Sequence, residues 1–532
     1  MSKWIRSLSV FHPARRGARV FQKSLCAGLA VVVALAASGC SSADRDDALT
    51  TVKPQSNVST SSPGVSLSSI SLAANVGDSF NPYTAKTLVN STLFPLLYDS
   101  LVKLDAKLAP QNALASKISV SGNTCTVTLK DGLKFSDGSA LTAKAVVYSA
   151  NRAKSSPLYG GRLKNMASVS ANGDKKVVFT LSRPDRNFAS LLDFPIVKEE
   201  TAKDSKSTPV GSGRYTLKSQ GNKNYSLEYN TRWYKKADPK FKTISLVAPP
   251  DDEAIMTSVK TGNVALMFSD LSKGEIGGIG AATQPVALNN MIYIGINSSN
   301  GVLQSPEFRS ALSFAIDRKA VLSKGYSGRG TATYLPVNPL FDLNETLTGD
   351  EFPGYNQQKA GSMLDALGYD KTDMSAVRLN GESPITLNLL INGDNNYKVL
   401  TANAIKNALR EVGIGINIVT EKDFDAFSSK VKSKNFDLYL GETKLLFNMD
   451  ISDFWRTSPL NAGISASEEL KNAYTAYQNG SGTYAAFAKI FAKETPFIPL
   501  LFRSGIVAYN RNIQTQIVAT PSDVFDNITD WK

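Results

Sequence analysis

The clearest short-range pattern lies at 124–129. Cys125, Val127 and Leu129 alternate with Thr124, Thr126 and Thr128. That period of two predicts a half-buried strand, with Cys125 a small core residue rather than a reactive thiol. Upstream, Ile70-Ser71-Leu72 opens a shorter strand that runs into the turn Asn75-Val76-Gly77-Asp78. A helical pattern then extends from Thr87 to about Leu101. Downstream, Asp131-Gly132 and Asp137-Gly138 are two turn signals. Thr142 follows as the expected N-cap of a helix carrying Val146, Val147 and Ala150.

The second half reads as α/β. Ile385, Leu387, Leu389 and Ile391 alternate as a strand, and residues 398–412 place Leu400, Ala404, Ile405, Ala408, Leu409 and Val412 on one helical face. Gly413 closes that helix. Ile414, Ile416 and Ile418 alternate again, a helix is expected near 423–433, and Phe436 to Leu440 form a third strand. Strand, helix, strand, helix, strand is a doubly wound unit, and such sheets bind ligands beyond the carboxyl ends of their strands. Those ends are Asn392–Tyr397 and Gly441 onward. Gly277-Gly278-Ile279-Gly280 lacks the Lys-Ser/Thr of a phosphate loop and reads as a flexible loop.

The first forty residues have a different character. Lys3, Arg6, Arg15, Arg16, Arg19 and Lys23 precede an apolar run, Leu25 to Ala37. The run suits a signal-peptide core of about 7–15 residues and is too short for a membrane span of about 20. It ends in Ala37-Ser38-Gly39-Cys40, which resembles the bacterial lipobox, in which the cysteine becomes the lipid-modified first residue. Ala37 departs from the usual Leu, Val or Ile at that place. The alternative is a plain secretory signal with Cys40 incidental. Arg15-Arg16 match twin-arginine export poorly. Residues 40–69, rich in Ser and Thr, read as a lipidated cysteine and a flexible tether.

Composition narrows the chemistry. A chain of 532 residues implies roughly two to four domains. Its one histidine, His12, lies in the leader, and Cys125 is the only cysteine beyond Cys40. Ser-His-Asp and Cys-His nucleophilic sites in their usual form are therefore excluded, as are His/Cys zinc sites. Removal of the leader takes six basic residues from the net charge of +13. What remains is dispersed, with no Lys/Arg block of nucleic-acid type. No cofactor motif is present.

The run Leu129-Lys130-Asp131-Gly132-Leu133-Lys134-Phe135-Ser136-Asp137-Gly138-Ser139-Ala140-Leu141-Thr142-Ala143 resembles the signature of the family 5 extracellular solute-binding proteins, the oligopeptide- and dipeptide-binding class of ABC importers. Other blocks follow in that family's order: Leu101 to Asp105; Pro209-Val210-Gly211-Ser212-Gly213-Arg214-Tyr215; Leu227 to Asn230 with Trp233-Tyr234; Phe308-Arg309 with Ala315 to Arg318; and Tyr355 to Tyr369. The resemblance implies an α/β, two-lobed periplasmic-binding-protein fold of the class with an extra inserted domain. It has mixed sheets and a hinge between lobes. Domain I would comprise 70–99, 206–289 and 496–532, domain II 100–205 and domain III 290–495. Crossings between lobes fall near Asn289-Asn290 and Thr495-Pro496, and the ligand lies between domains I and III.

The resemblance also nominates ligand-binding residues. Asp450 is the first candidate for the acid that meets a ligand amine, and Glu442 the second. Lys444 either counters one of these or meets a ligand carboxylate; a solvated loop with a mutual Glu442–Lys444 pair is the alternative. Tyr397 follows a strand end, Asn75, Val76 and Gly77 lend backbone, and Arg503 re-enters near the cleft. Tyr83 and Trp455 are candidate cleft walls that could equally be core. The expected partners are a peptide-like solute, an ABC permease and the bilayer through Cys40, with the protein a monomer on the outer face of the cytoplasmic membrane. No catalysis, cofactor or metal is implied. Two other readings stay open: a non-peptide solute on the same scaffold (an oligosaccharide, an opine-like compound or a chelated metal), and a secreted carboxylate-based hydrolase.

Overall fold

The computed structural model describes residues 67–532 apart from 205–206, 275–279, 344, 346, 348–351 and 353. The leader, Cys40, nearly all of the tether and most of the stretch Gly277–Gly280 lie outside the described residues. No helix among the described residues is long and apolar enough to cross a membrane.

The strand signals at the start of the described chain build two four-stranded sheets. In the first, Ser71–Ala73 runs parallel to Thr243–Val247, followed by Tyr225–Tyr229 and Tyr215–Ser219, each antiparallel to its neighbour. In the second, Ala115–Ser121, Thr124–Leu129, Lys176–Leu181 and Met166–Asn172 are antiparallel throughout. Cys125, Val127 and Leu129 are buried on one face, as the alternation requires, and the helix Ala143–Lys154 follows. Both sheets share one hydrophobic core that extends from Leu72 through Val127 to Trp531. The segment expected as domain II packs largely into this core, while its Leu104 and Leu108 join the core of Met291 and Tyr439.

The family-like blocks meet where these two sheets join. The Leu97 carbonyl accepts from Gly213 N, so the first helix ends at Leu97 rather than near Leu101. A Cβ on Gly211 would stand 2.1 Å from that carbonyl oxygen, and one on Gly213 2.4 Å from the oxygen of Leu96. Only glycine permits this approach. Beside it, buried Arg214 pairs with buried Asp523, which Lys103 also reaches at 2.9 Å. The Asp137-Gly138 turn docks here as well: Ser136 N donates to the Gly211 carbonyl at 2.9 Å, and Gly138 takes φ 91°. Thr142 occupies the N-cap position, but its hydroxyl makes no capping bond.

The largest sheet runs in the order Leu266–Ser269, Phe497–Tyr509, Ala282–Ile296, Leu438–Lys444, Thr386–Asn392 and Gly415–Glu421, with Gly330–Ala332 paired to Phe497–Tyr509. The last three strands are parallel and are connected by the helices Asn396–Arg410 and Phe424–Lys432, the doubly wound unit expected. The side chains of Asn395 and Asp423 cap these helices, and Gly413 ends the first at φ 78°. Leu400 departs from expectation: it is exposed, and the buried face of the helix is carried by Tyr397, Thr401, Ala404, Ile405 and Leu409.

Two long strands, Ala282–Ile296 and Phe497–Tyr509, thread both lobes. Ile292, Ile294, Ile498 and Leu501 pack in the core of the second lobe, whereas Val286 and Val507 join that of the first. Their pairing is irregular between Ala287 and Asn290, at the expected first crossing. Beyond Thr495-Pro496 the strand Phe497–Tyr509 also pairs with Gly330–Ala332, through Leu501, Phe502 and Arg503.

Candidate functional site

The strand Leu438–Lys444 starts later and runs further than the pattern Phe436–Leu440 indicates. Glu442 and Lys444 are therefore strand residues, not loop residues. Side chains two apart share a face, as do residues paired across antiparallel strands. Lys444 pairs with Asn290, and Asn290 with Arg503. One face of the sheet, at the irregular crossing, thus presents Glu442, Lys444, Asn290 and Arg503 together.

The contacts agree with that placement. Glu442 Oε1 accepts from Asn290 Nδ2 at 2.8 Å and from Arg503 Nε at 2.6 Å, and Arg503 Nη1 donates to the Asp270 carbonyl. Burial opposes the Arg503 charge, but Glu442 and Asp270 outweigh it and hold the guanidinium pKa above its ordinary value. Glu442 Oε2 accepts nothing among the described residues.

Behind this row Tyr326 stacks on Tyr397, with ring centres 5.2 Å apart and planes at 11°. Arg329 Nη1 donates to the Tyr397 hydroxyl at 3.2 Å. Burial pushes the Tyr326 hydroxyl pKa up, with Glu442 adding to the rise and Arg503 opposing it. Tyr397 is therefore buried beside the site rather than presented on a loop.

The first lobe contributes from three segments. The turn at Asn75 is clamped by Asn90, whose side chain accepts from Asn75 N at 2.8 Å and donates to Asn75 O at 3.0 Å. Asn75 and Gly77 are exposed and Val76 half-buried. Asp270 follows the strand Leu266–Ser269. In the inserted segment Arg162 pairs with Asp193. Lys444 feels groups from all sides. Burial lowers its pKa, Arg162 and Arg503 act in the same direction, and Asp270 and Asp193 oppose. Yet its side chain is exposed to solvent.

Asp450 does not join this row. Its Oδ2 pairs with Arg183, and its Oδ1 accepts from Ser452 N at 3.0 Å and Tyr474 OH at 3.4 Å. It belongs to a polar seam between the inserted segment and the second lobe. There Asn448 Nδ2 donates to buried Asp185 at 2.7 Å, Asn187 Nδ2 to Asn448 O at 3.2 Å, and Ser190 Oγ to Phe447 O at 2.9 Å. Trp455 is half-buried, edge-on to Tyr474 at 5.2 Å, and so belongs with the seam. Tyr83 is core: it is buried and donates to the Pro195 carbonyl. Tyr326, Asn290, Asp270, Arg162 and Asp193 carry no local motif that marks them, and only the topology assembles them. A surface depression of about 860 Å³ lies elsewhere, between Asp238–Lys242 and Thr515 with Thr529–Lys532.

Two lobes joined by strands that thread both define the two-lobed fold of the periplasmic-binding-protein type. The solved murein tripeptide-binding protein MppA, in its unliganded open form, has that fold. It covers 85% of this chain and 95% of its own at TM-score 0.67 and 19% identity. Residues 107–458 match the bacterial extracellular solute-binding proteins, family 5 middle, and the chain belongs to that family. The oligopeptide-binding protein AppA of Bacillus subtilis strain 168 is 24% identical over 488 residues, 85% of this chain and 89% of AppA. The glutathione-binding protein GsiB of Salmonella typhimurium strain LT2 is 24% identical over 480 residues, 82% of this chain and 90% of GsiB.

Proposed function

We propose that this protein captures a peptide-like solute in the cleft between its lobes and passes it unaltered to an ABC permease, held to the outer face of the membrane by a lipid on Cys40. It acts as a monomer and as a binding module, not an enzyme. The observation that carries the reading is Glu442. Its carboxylate is fixed by Asn290 and Arg503 at the lobe crossing and keeps one oxygen unengaged among the described residues. A site that accepts varied peptides grips the backbone and neutralises charged termini. Glu442, not Asp450, is then the acid for the ligand's amine, because both oxygens of Asp450 are occupied in the seam. The names of AppA and GsiB point to the same solute class. Backbone from Asn75 to Gly77 forms the first-lobe edge, with domain I over 70–99, 206–289 and 496–532, domain II over 100–205 and domain III over 290–495.

Calorimetric titration with free-amine and N-acetylated peptides, followed by mass analysis of the recovered ligand, tests this. Glu442→Gln should weaken the free-amine form by about tenfold or more and the acetylated form little, since a charge-assisted bond is lost only in the first case. Equal losses remove Glu442 from that role, and a cleaved ligand removes the binding-module reading.

A further inference from the structure

Positive charge that is spread thinly along the sequence gathers at one edge of the first lobe. The segment between Tyr229 and Thr243 joins two strands of the first sheet. It carries exposed Arg232, Lys235, Lys236, Lys240 and Lys242 against a single acid, Asp238. Lys242 pairs with Asp238 at 3.0 Å, but no carboxylate lies within ion-pair distance of Arg232, Lys235 or Lys236 among the described residues. Arg232 Nη1 donates instead to the Ser136 carbonyl at 3.2 Å. Lys130 and Lys235 both stand near the Tyr234 ring, 4.9 Å and 5.8 Å from its centre, so Lys130 joins the group. Lys240 and Lys242 line the same surface depression as Lys532, where Asp530 is the further acid.

The place of this edge in the fold points to what it meets. Ser71–Ala73 and Thr243–Val247 run parallel with Ser71 beside Ser245, and Ser245 N donates to the Ile70 carbonyl at 3.3 Å. The chain therefore enters the folded body beside Thr243, next to Lys242. Cys40 lies thirty residues before Ile70. Even fully extended, that length keeps the entry point within about 110 Å of a bilayer that holds Cys40. An anionic surface attracts each nearby lysine or arginine by about fivefold, within about a Debye length. We propose that this basic edge docks on anionic lipid headgroups, so that the lipid on Cys40 and the patch together seat the first lobe on the membrane. The inference rests in part on the lipid anchor proposed above. At physiological salt the patch alone holds weakly, so it strengthens the acyl anchor and does not replace it.

The test is flotation with vesicles of phosphatidylcholine alone, or of equal parts phosphatidylcholine and phosphatidylglycerol, at low salt and in about 0.5 M salt. The parent is the chain from residue 40 onward with Cys40→Ser, which contains every described residue and carries no lipid. One variant has Lys235→Gln, Lys236→Gln, Lys240→Gln and Lys242→Gln. The second has Lys319→Gln, Lys371→Gln, Lys406→Gln and Lys432→Gln, exposed lysines of the second lobe, and so the same net charge. All of these lysines are exposed, so both variants should keep the parent's melting temperature. Should the first melt lower, Lys235→Gln with Lys236→Gln, against Lys319→Gln with Lys371→Gln, carries the same comparison. The parent should float with the anionic vesicles at low salt only. The first variant should bind them at least about tenfold more weakly and the second like the parent. Equal losses in both variants would show net charge alone at work and overturn the patch. A parent that stays off bare anionic vesicles would also overturn it, whatever a permease in the bilayer adds. In cell membranes washed with high salt, Cys40→Ser reads the lipid alone, so patch and lipid can fail separately.

Discussion

Asp185 offers a test of the seam between the lobes. It is buried, and desolvation pushes its carboxyl pKa to about 6, with Asp450 adding to the rise while Asn448 and Arg183 oppose it. Against an ordinary value of 3.8, the shift is roughly two units, or about 3 kcal/mol at 1.36 kcal/mol per unit. A group whose folded pKa lies above its unfolded value binds its proton more tightly when folded. Its contribution is therefore complete below about pH 4 and is lost as the pH rises through about 6. Between pH 7.5 and pH 4.5 about 2 kcal/mol of it should return. Asp185→Asn keeps an acceptor for Asn448 Nδ2 but removes the titration. Thermal unfolding of wild type and variant at both pH values isolates the effect. On acidification the wild type should gain about 2–4 °C relative to the variant. Carboxyls held low, such as Asp523 and Asp137, are common to both proteins and cancel in the difference. Parallel pH profiles would refute the placement of Asp185 as a desolvated carboxyl beside Asn448.

Three further outcomes follow from other parts of the structure. Gly211→Ala sets a Cβ 2.1 Å from the Leu97 carbonyl oxygen and should cost at least about 1–3 kcal/mol in thermal unfolding; an unchanged melting temperature would contradict that packing. Arg214→Met strips buried Asp523 of its main partner and should cost about 3–5 kcal/mol; a loss under about 1 kcal/mol would show that Lys103 alone suffices. Cys40→Ser should move the protein from the membrane fraction to the soluble fraction of expressing cells, and an unmoved variant would remove the lipid anchor.

Much of the fold was legible because its signals are local. The alternation at Cys125, Val127 and Leu129, the turn at Gly138 and the helix end at Gly413 depend on neighbours a few residues away. The glycines of Gly211-Ser212-Gly213 could be noticed in the sequence, but the carbonyls they accommodate lie across the fold. The site was read less well for a physical reason. Gly441 to Lys444 is polar because one side of that strand faces the cleft, while Gly441 is small because Tyr293 lies where a Cβ would point. Such a strand resembles a loop. Asp450 looked available because Arg183, its partner, is 267 residues away. Leu400 lay close to the apolar stripe of its helix, but its exposure is set by the neighbours that helix meets.

The central claim is that two lobes close on a solute at the Glu442–Lys444 face. Exposed Leu88 and Leu400 stand on different lobes, and Cys125 is fully buried with its thiol pKa pushed up to about 12, so it will not take a label. Spin labels on Leu88→Cys and Leu400→Cys, with Cys26 and Cys40 replaced, report the interlobe distance by pulsed dipolar spectroscopy. Addition of a bound peptide should collapse the distribution to one narrow distance, and Glu442→Gln should raise the concentration of free-amine peptide needed for this. A distribution that stays the same when calorimetry shows the site filled would contradict the account.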